Sequence, residues 1–383
     1  MGAEEEITPC AVSSVQLGRS CVTLKKPLGI GTMQWGTTWL DSKLNRGGNL
    51  SEAQCRQIFS TLVSQLGISF FDTAEGYGGG TSEEMLAAVA TSLEKEQPGT
   101  EGARVVFGTK FLPHLGRWSQ SSLSRALRGS NSRLNVDCCD VYFIHTPVHP
   151  MPLEHWVAAA AEEANRGRIK AIGLSNCNAG QVRRACAAAE RHGQSIACNQ
   201  IMYNLLCHGS PSLRETERAC RDLGVTIIAY SPIGQGLLTE GLTPEKFGRI
   251  RLARMSGVSL EQLQPLRSAV ERCAAAHGVS MAQVCINWTV CHSAVPLVGC
   301  RSVEQAADCA GALSWRLSDA EIAELDARAL ALSTLEKPRW RRALFVALIS
   351  LLVLAYKLCR LVESALKQPK RPPPSPPTKA KTA

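Results

Sequence analysis

The chain has 383 residues, of which 45% are hydrophobic and 20% are charged, and this composition suits one large globular domain or two small ones. It excludes a collagen, a coiled-coil rod and a wholly disordered chain. The formal net charge is +9, but the residues from Lys337 onward carry 11 Lys or Arg and one acid, which leaves a net charge of −1 on the rest. The basic excess belongs to the tail, so we expect no nucleic-acid partner.

The 16 cysteines are scattered and form no CxxC pair, and no Cys/His cluster has zinc spacing. Many of them lie inside apolar runs, where cysteine behaves as a small hydrophobic residue. This usage favours a reducing compartment over a disulfide framework, and it predicts no metal site. The first residues, MGAEEEITPC, lack the apolar stretch of a secretory signal.

A hairpin is predicted within residues 14–27, and after it short apolar runs alternate with helical stretches. Eight runs are strand candidates: 28–36, 68–78, 104–111, 139–147, 168–176, 195–204, 224–234 and 294–302. Each is almost continuously apolar, which is typical of parallel strands that are covered on both faces. The stretches between them carry apolar residues at spacings of three and four, and several end in glycine, the usual helix stop.

Eight strand–helix units in a body of this length predict a (β/α)8 TIM barrel, for which ~250 residues is the usual size. A doubly wound sheet is the competing architecture, but the first strand is not followed by a GxGxxG phosphate loop. We therefore predict a barrel over residues 25–336, preceded by a segment (1–24) that includes the start of the hairpin. The long connection 235–266 is interpreted as a functional loop.

The tail contains ALFVALISLLVLAY (343–356), a run of 14 residues that is apolar except for Ser350 and has basic residues on both sides. As a helix it would be ~21 Å long, short of a ~30 Å hydrocarbon core. We predict that 337–366 forms an apolar helix that anchors the chain in a membrane, either spanning it or lying in its interface. The alternative is an extra helix packed on the barrel. Residues 367–383 are predicted to be a disordered Pro/Lys-rich tail.

The tail also predicts a location: the cytoplasmic face of an intracellular membrane, either the ER or the outer membrane of an organelle. The basic cluster 339–342 would then lie at the cytoplasmic surface, where Lys and Arg are enriched. A thin membrane suits the short apolar run. A soluble cytoplasmic protein is the second choice.

Four polar residues lie near the ends of predicted strands: Asp72, Tyr77, Lys110 and His145. Each has a structural alternative, respectively a helix cap, a turn aromatic, a snorkelling lysine and a buried core histidine. In a barrel, however, the carboxyl ends of the strands meet at one face, where active sites are built. We therefore predict that the four side chains meet at one rim.

Together these residue types suit carbonyl reduction. Tyrosine has an ordinary pKa of about 10, so near pH 7 it is a reluctant proton donor. A neighbouring ammonium, here Lys110, favours the phenolate and eases proton transfer. Asp72 would keep Lys110 charged and oriented, and His145 would bind the substrate oxygen. No nucleophile–base pair for hydrolysis stands out, and the chemistry needs no metal.

The motifs at these positions resemble those of the aldo-keto reductases, and the resemblance extends from about residue 25 to 330. It is carried by FDTAEGYG, FGTKF, YFIHTP, IGLSN, NQIMYN, AYSPIGQGLLT and VPLVGCRSVEQAADCAGALSWRLSDAEI, in this order. The long form, with GALSWRLSD and INWTV, is most similar to a plant and algal branch of NADP-dependent oxidoreductases. The family fold is the same barrel. The resemblance implies NADPH-dependent reduction of a small aldehyde or ketone, with Tyr77 as the acid.

The resemblance also implies a cofactor site for NADPH rather than NADH. The residues that carry over to it are Ser175, Asn176, Gln200, Tyr230, Ser231, Arg301 and Ser302. Asn and Gln amides offer both donors and acceptors to the nicotinamide carboxamide. Tyr230 would stack on the nicotinamide ring. Arg301 would grip the adenosine 2′-phosphate, because its fork matches phosphate oxygens.

The loops after strands one, three and four are expected to line the substrate pocket. The residues assigned to it are Trp35, Trp39, Phe111, Trp118 and Val148. Because loops vary, these residues do not name a substrate. A second function stays open, namely an NADPH-binding regulatory subunit of a membrane protein, as the channel β-subunits of this family are. The four rim residues favour the enzyme, and the sequence does not decide the oligomeric state.

Overall fold

The computed structural model describes residues 14–36, 50–96, 105–250, 252–253 and 258–333. Its centre is a closed barrel of parallel strands. Two strands form the N-terminal hairpin, β1 (Val15–Gln16) and β2 (Thr23–Leu24). The barrel strands are β3 (Gly29–Gly31), β4 (Phe70–Asp72), β5 (Val106–Phe111), β6 (Cys139–Ile144), β7 (Ile169–Ser175), β8 (Ile196–Met202), β9 (Thr226–Tyr230) and β10 (Val295–Val298).

Helices lie between the strands and cover the barrel. They are α1 (Glu52–Ser60), α2 (Thr81–Glu96), α3 (Gln120–Leu134), α4 (Leu153–Asn165), α5 (Ala179–Glu190), α6 (Pro211–Leu223), α7 (Pro244–Arg249), α8 (Leu260–His277), α9 (Met281–Cys291), α10 (Val303–Gly311) and α11 (Asp319–Ser333). A π-helical turn, Thr61–Gln65, continues α1, and 3₁₀ turns lie at Tyr77–Gly80 and Gly234–Gly236. The connection after β9 thus contains the short helix α7.

Neighbouring barrel strands are consecutive in the sequence, and β10 closes the barrel against β3. All of these pairings are parallel, so every strand ends at the same face. The register aligns Gly31 of β3, Asp72 of β4 and Gly108 of β5. This common rim is the reason that residues from distant parts of the chain can form one site.

Two phenylalanines fill the inside of the barrel, and glycines on neighbouring strands make room for them. A methyl group added at Gly173 would lie 2.4 Å from the ring of Phe143, and one added at Gly29 would lie 2.5 Å from the ring of Phe70. The hairpin covers the amino-terminal end of the barrel, where Leu17 is fully buried among these interior residues. The interior is therefore a packed core, and the open site lies at the other end.

The helices begin where the sequence supplies caps. Ser51, Asn178 and Ser259 each form a capping box with a glutamine three residues later, so two backbone donors at each helix start are satisfied. Helices α6 and α8 end at Gly224 and Gly278, both in the left-handed conformation that glycine adopts without strain.

The predicted hairpin and the eight predicted strands are confirmed, and the (β/α)8 barrel is the fold of the chain. Within the described ranges, no helix combines the length and apolar character that a membrane span requires. The predicted anchor 337–366, the tail 367–383 and Trp39 lie outside the described residues.

Candidate active site

The side chains of Asp72 and Lys110 form a buried ion pair at the rim. The Nζ atom of Lys110 donates to Oδ2 of Asp72 at 2.5 Å and to the backbone carbonyl of Thr73 at 2.6 Å. Asp72 is 2% exposed and Lys110 is fully buried. Removing one partner of such a pair would leave an uncompensated buried charge, so each group fixes the other in place.

Tyr77 lies beside this pair, on the 3₁₀ turn that follows β4. The Nζ atom of Lys110 is 3.3 Å from the Tyr77 hydroxyl and 4.8 Å from the centre of its ring. The turn is tight because Gly78 has a φ of 56°, in the left-handed region. A side-chain carbon added at Gly78 would lie 2.6 Å from the carbonyl oxygen of Gly36. The YGGG sequence therefore holds the hydroxyl against the ammonium, while Tyr77 itself is only half-buried.

His145 follows β6 and faces the ring of Tyr77. The two ring centres are 6.0 Å apart, with the rings nearly perpendicular. The His145 amide donates to the carbonyl of Phe111, which fixes the backbone at this point. Its Nδ1 atom is buried and has no hydrogen-bond partner in the part of the chain that the structure describes. All four predicted rim residues are thus brought together.

Burial and charge set the protonation of the group. Burial raises the pKa of Tyr77 above its ordinary value, although Lys110 opposes this shift. Burial would lower the pKa of Lys110, but Asp72 and Tyr77 outweigh it and hold that pKa above its ordinary value. Burial also raises the pKa of Asp72 against the pull of Lys110. Near neutral pH the tyrosine is therefore a protonated phenol beside an ammonium.

The imidazole of His145 is neutral near pH 7. Burial, together with the charge of Lys110, lowers the pKa of His145 to about 3. A neutral imidazole can donate one hydrogen bond to a substrate oxygen without competing with Tyr77 as an acid. The site thus contains one proton donor supported by a cation and one neutral hydrogen-bonding group.

Asn176 connects three of the predicted residues. Its Nδ2 atom donates to the carbonyl of His145 at 3.2 Å and to the hydroxyl of Ser175 at 3.0 Å. Its Oδ1 atom accepts from the hydroxyl of Tyr230 at 2.9 Å. Asn176 has a φ of 60°, a left-handed conformation that asparagine tolerates better than most residues. The hydrogen bonds of its side-chain amide thus connect the ends of β6, β7 and β9.

Gln200 and Ser231 extend this rim. Gln200 lies opposite Ser175 on the neighbouring strand, and its Nε2 atom donates to Oδ1 of Asp72 at 2.8 Å. Ser231 follows β9 with a φ of 55°, and its carbonyl accepts from the amide of Asn204 at 2.8 Å. The residues predicted to bind the nicotinamide therefore lie directly beside the four catalytic candidates.

Arg301 and Ser302 lie beyond β10, at the start of α10. The hydroxyl of Ser302 caps the helix by accepting from the amide of Gln305. The side-chain oxygen of Gln305 in turn accepts from the amide of Arg301. The guanidinium of Arg301 is exposed and, among the described residues, has no ion-pair partner. A cation next to a helix amino terminus suits a phosphate group.

These residues fit a nicotinamide dinucleotide by the chemistry of their side chains. The amides of Asn176 and Gln200 match the donors and acceptors of a carboxamide. The ring of Tyr230 is half-buried at the rim and offers a surface for stacking. Arg301, which follows β10, supplies a cation for a phosphate group, apart from the residues that suit the nicotinamide.

The residues predicted for the substrate pocket fall into two groups. Trp118 and Val148 are 53% and 51% exposed on the loops after β5 and β6. Trp35 and Phe111 are fully buried instead, and they pack against Phe71 and against Trp156 in the layer between strands and helices. The structure does not bring these two rings to an open surface. On β5 the side chain of Phe111 points away from the barrel interior because that of its neighbour Lys110 points into it.

An ion pair that was not predicted from the sequence, between Glu75 and Arg117, holds the loop after β5. Oε1 of Glu75 accepts from the amide of Leu112 at 2.7 Å, and the two carboxylate oxygens bind the guanidinium of Arg117. The guanidinium also lies 4.8 Å from the centre of the Phe111 ring. The available signal was the position of Glu75 inside FDTAEGYG, between Asp72 and Tyr77. This pair fixes the segment that presents Trp118.

The family model of the Aldo/keto reductase family matches residues 27–329. With the barrel and the four rim residues in place, the chain belongs to this family and is an oxidoreductase. The predicted family membership is thereby confirmed.

Comparison with known reductases agrees with this family membership. The chain is 31% identical over 306 residues to a chloroplastic pyridoxal reductase of Arabidopsis thaliana, covering 78% of this chain and 82% of that protein. It is 28% identical to the NADP(+) aldo-keto reductase yakc of Schizosaccharomyces pombe, over 72% of this chain and 82% of the other. The crystal structure of the thermostable aldo-keto reductase Tm1743 with the inhibitor epalrestat has a TM-score of 0.63 and 26% identity, and the match covers 82% of this chain and 99% of the other.

Proposed function

We propose that the protein reduces an aldehyde or ketone to an alcohol with NADPH, and that Tyr77 is the general acid. The observation that carries the proposal is the contact of the Tyr77 hydroxyl with Nζ of Lys110, at 3.3 Å, in a pair buried with Asp72. The bound reduced nicotinamide supplies the hydride. The protein supplies the proton and the geometry.

The proton moves from the Tyr77 hydroxyl to the substrate oxygen. Negative charge then develops on the phenolate, 3.3 Å from a buried ammonium, where water screens the attraction little. Asp72 keeps Lys110 protonated, because an isolated buried lysine would tend to lose its proton. The rate gain from Tyr77 therefore depends on all three groups.

His145 and the rim amides orient the reactants. The neutral imidazole donates a hydrogen bond to the same substrate oxygen and so limits its approach to the Tyr77 side. Ser175, Asn176 and Gln200 would hold the carboxamide, and the half-buried ring of Tyr230 would fix which face of the nicotinamide meets the substrate. Arg301 would favour NADPH over NADH through the 2′-phosphate.

The exposed side chains around the rim favour an apolar or aromatic carbonyl compound. Met33, Leu115, Trp118 and Val148 are each about half exposed, and all lie on loops that follow barrel strands. Because the strands all end at one face, these loops lie around the same rim, and exposed apolar side chains beside a site favour an apolar ligand. The likeness to a pyridoxal reductase makes pyridoxal one aromatic aldehyde to test.

Initial rates of NADPH oxidation with 4-nitrobenzaldehyde and with pyridoxal test this proposal. We expect turnover with at least one of them, and none without aldehyde. Tight NADPH binding with no turnover of any carbonyl compound in a broad screen would contradict the enzyme and support the regulatory subunit instead.

We further propose that the C-terminal segment 337–366 attaches the enzyme to an intracellular membrane. The apolar run 343–356 offers burial that lipid accepts, and its basic flanks are drawn to anionic headgroups. Because the barrel lies within residues 25–336, the tail is not needed to complete it.

Fractionation of cells that express the full chain and a 1–336 truncation tests this part. We expect the full chain in the membrane pellet, the truncation in the supernatant with its reductase activity retained, and a reporter fused to 337–383 at membranes. A full-length chain that fractionates entirely with the supernatant, together with a lower melting temperature of the truncation, would support the packed-helix alternative.

A further inference from the structure

Two histidines and one carboxylate meet on the outside of the barrel. His208 lies between β8 and α6, His292 caps the end of α9, and Asp326 lies in α11. The potential ligand atoms of the three side chains all lie within 4.8 Å of one another. None of the described contacts of the four catalytic candidates involves this cluster.

The spacing of these atoms is close to that of a coordination sphere. Oδ1 of Asp326 lies 3.2 Å from Nε2 of His292 and 3.5 Å from Nε2 of His208. In a tetrahedral zinc site with bonds of about 2.0–2.1 Å, ligand atoms lie about 3.3–3.4 Å apart. Both distances from the carboxylate are near this value, and all three ligand atoms lie within 4.8 Å of one another, so a shift of the side chains would place them around one ion.

His208 has unused binding capacity in this cluster. It is 8% exposed, and its Nδ1 atom is buried with no hydrogen-bond partner within the described ranges. Its Nε2 atom faces Asp326 at 3.5 Å, which is longer than an ordinary hydrogen bond. Nε2 is therefore the atom of His208 that a cation held by the cluster would bind.

The surroundings support the carboxylate as a ligand and leave an approach for an ion. Nε1 of Trp288 donates to Oδ1 of Asp326 at 2.8 Å, the kind of outer hydrogen bond that orients metal-binding carboxylates. The side chains of His292 and Asp326 are 17% and 24% exposed, so solvent reaches one side of the cluster. Glu217 and Arg214 are the other charged groups that act on His208.

We propose that His208, His292 and Asp326 form a Zn²⁺ site, with water as the fourth ligand. Two imidazoles and one carboxylate suit zinc better than magnesium or calcium, which prefer oxygen ligands. The ion would join the segment before α6 to the ends of α9 and α11 on the outer layer. No metal site is predicted from the sequence, because these three residues are far apart in the chain and do not lie at any short ligand spacing.

Cobalt substitution tests the site in the full chain. The metal-free protein, kept reduced with a phosphine, is titrated with Co²⁺ and then with Zn²⁺. We expect one Co²⁺ per chain, visible d–d absorption without the near-ultraviolet band that cysteine thiolates give, and loss of that absorption on adding Zn²⁺. Zn²⁺ should also raise the melting temperature.

Matched variants assign the ligands. We expect His292→Asn and Asp326→Asn each to weaken Co²⁺ binding by at least about tenfold, since even outer-shell changes cost that much. His192→Asn, which alters a histidine outside the cluster, should bind like the wild type. Absence of stoichiometric binding to the wild type overturns the proposal, and so does binding that survives both cluster variants. Stoichiometric binding is measured on the wild type, so that outcome does not depend on the folding of a variant.

Discussion

The amide Nε2 of Gln200 lies 2.8 Å from Oδ1 of Asp72, on the opposite carboxylate oxygen from the one that Lys110 binds. A residue predicted for the cofactor therefore also holds the carboxylate that keeps the lysine charged. Each oxygen of the buried Asp72 carboxylate accepts from one of these donors, so the orientation of the ion pair depends on β8 as well as on β4 and β5.

Asp72→Asn tests the ion pair through the pH profile. Burial lowers the pKa of Lys110 and Asp72 raises it, so in the variant this pKa falls. The ammonium is then lost at a lower pH. We expect the rate of aldehyde reduction to decline at lower pH on the alkaline side than in the wild type, as initial rates across a pH series would record. An alkaline limb that does not move would show that Asp72 does not control the charge of Lys110.

Tyr77→Phe tests the proton donor. The change removes one hydroxyl and keeps the ring against His145 and Lys110, so the site should keep its shape. We expect kcat to fall by at least about 10²-fold, the usual contribution of a general acid. NADPH affinity, followed by fluorescence titration, should stay near the wild-type value. Turnover of the Phe variant at the wild-type rate would contradict the assignment.

His145 should not titrate in the physiological range. Its folded-state pKa is about 3, below its ordinary value of 6.5. It therefore stays neutral as the pH falls from 8 to 5, and we expect the initial rate of reduction to show no loss centred near pH 6.5. The measurement uses saturating NADPH and short reaction times. An acid limb near that pH that disappears in His145→Asn would show that the imidazole is less shielded than the structure indicates.

Arg301→Ala tests the reading of the 2′-phosphate. A charge-assisted hydrogen bond to phosphate contributes enough free energy for us to expect at least about tenfold weaker NADPH binding, with little change for NADH. Fluorescence titration of both cofactors gives the two constants. Arg316→Ala, which alters another exposed arginine, is the control and should change neither. Equal losses for NADPH and NADH in Arg301→Ala would mean that Arg301 does not contact the phosphate.

Arg133→Met tests a buried contact behind β5. Glu83 is fully buried, and its carboxylate binds the guanidinium of Arg133 at 2.7 Å and the hydroxyl of Thr109 at 2.5 Å. Removing the guanidinium leaves the carboxylate without its counter-charge, so we expect the free energy of unfolding to fall by about 3 kcal/mol. Urea unfolding measures it. Arg128→Met, at an exposed position of the same helix, should change it little, and a similar loss in both variants would point to helix propensity instead.

The pattern of apolar and polar residues along the sequence was sufficient to predict the fold. Apolar runs separated by amphipathic stretches predict parallel strands under a layer of helices, and eight such units close into a barrel. The same pattern predicted that Asp72, Tyr77, Lys110 and His145 would meet, because parallel strands end at one face. Local spacing carries this information, so no knowledge of long-range contacts was needed.

The tertiary structure decided which side chains reach the surface and which distant residues meet. Trp35 and Phe111 were assigned to the pocket with Trp118 and Val148, yet both are buried. Phe111 is the last residue of β5 and points away from the barrel interior that Lys110 enters, because successive side chains of a strand point to opposite sides. Trp35, beyond β3, packs against Phe71. The ion pair of Glu75 with Arg117 and the cluster of His208, His292 and Asp326 join residues from separate loops and helices. Such contacts depend on how helices pack around the barrel, and a packing distance between elements leaves no periodic signal in the sequence.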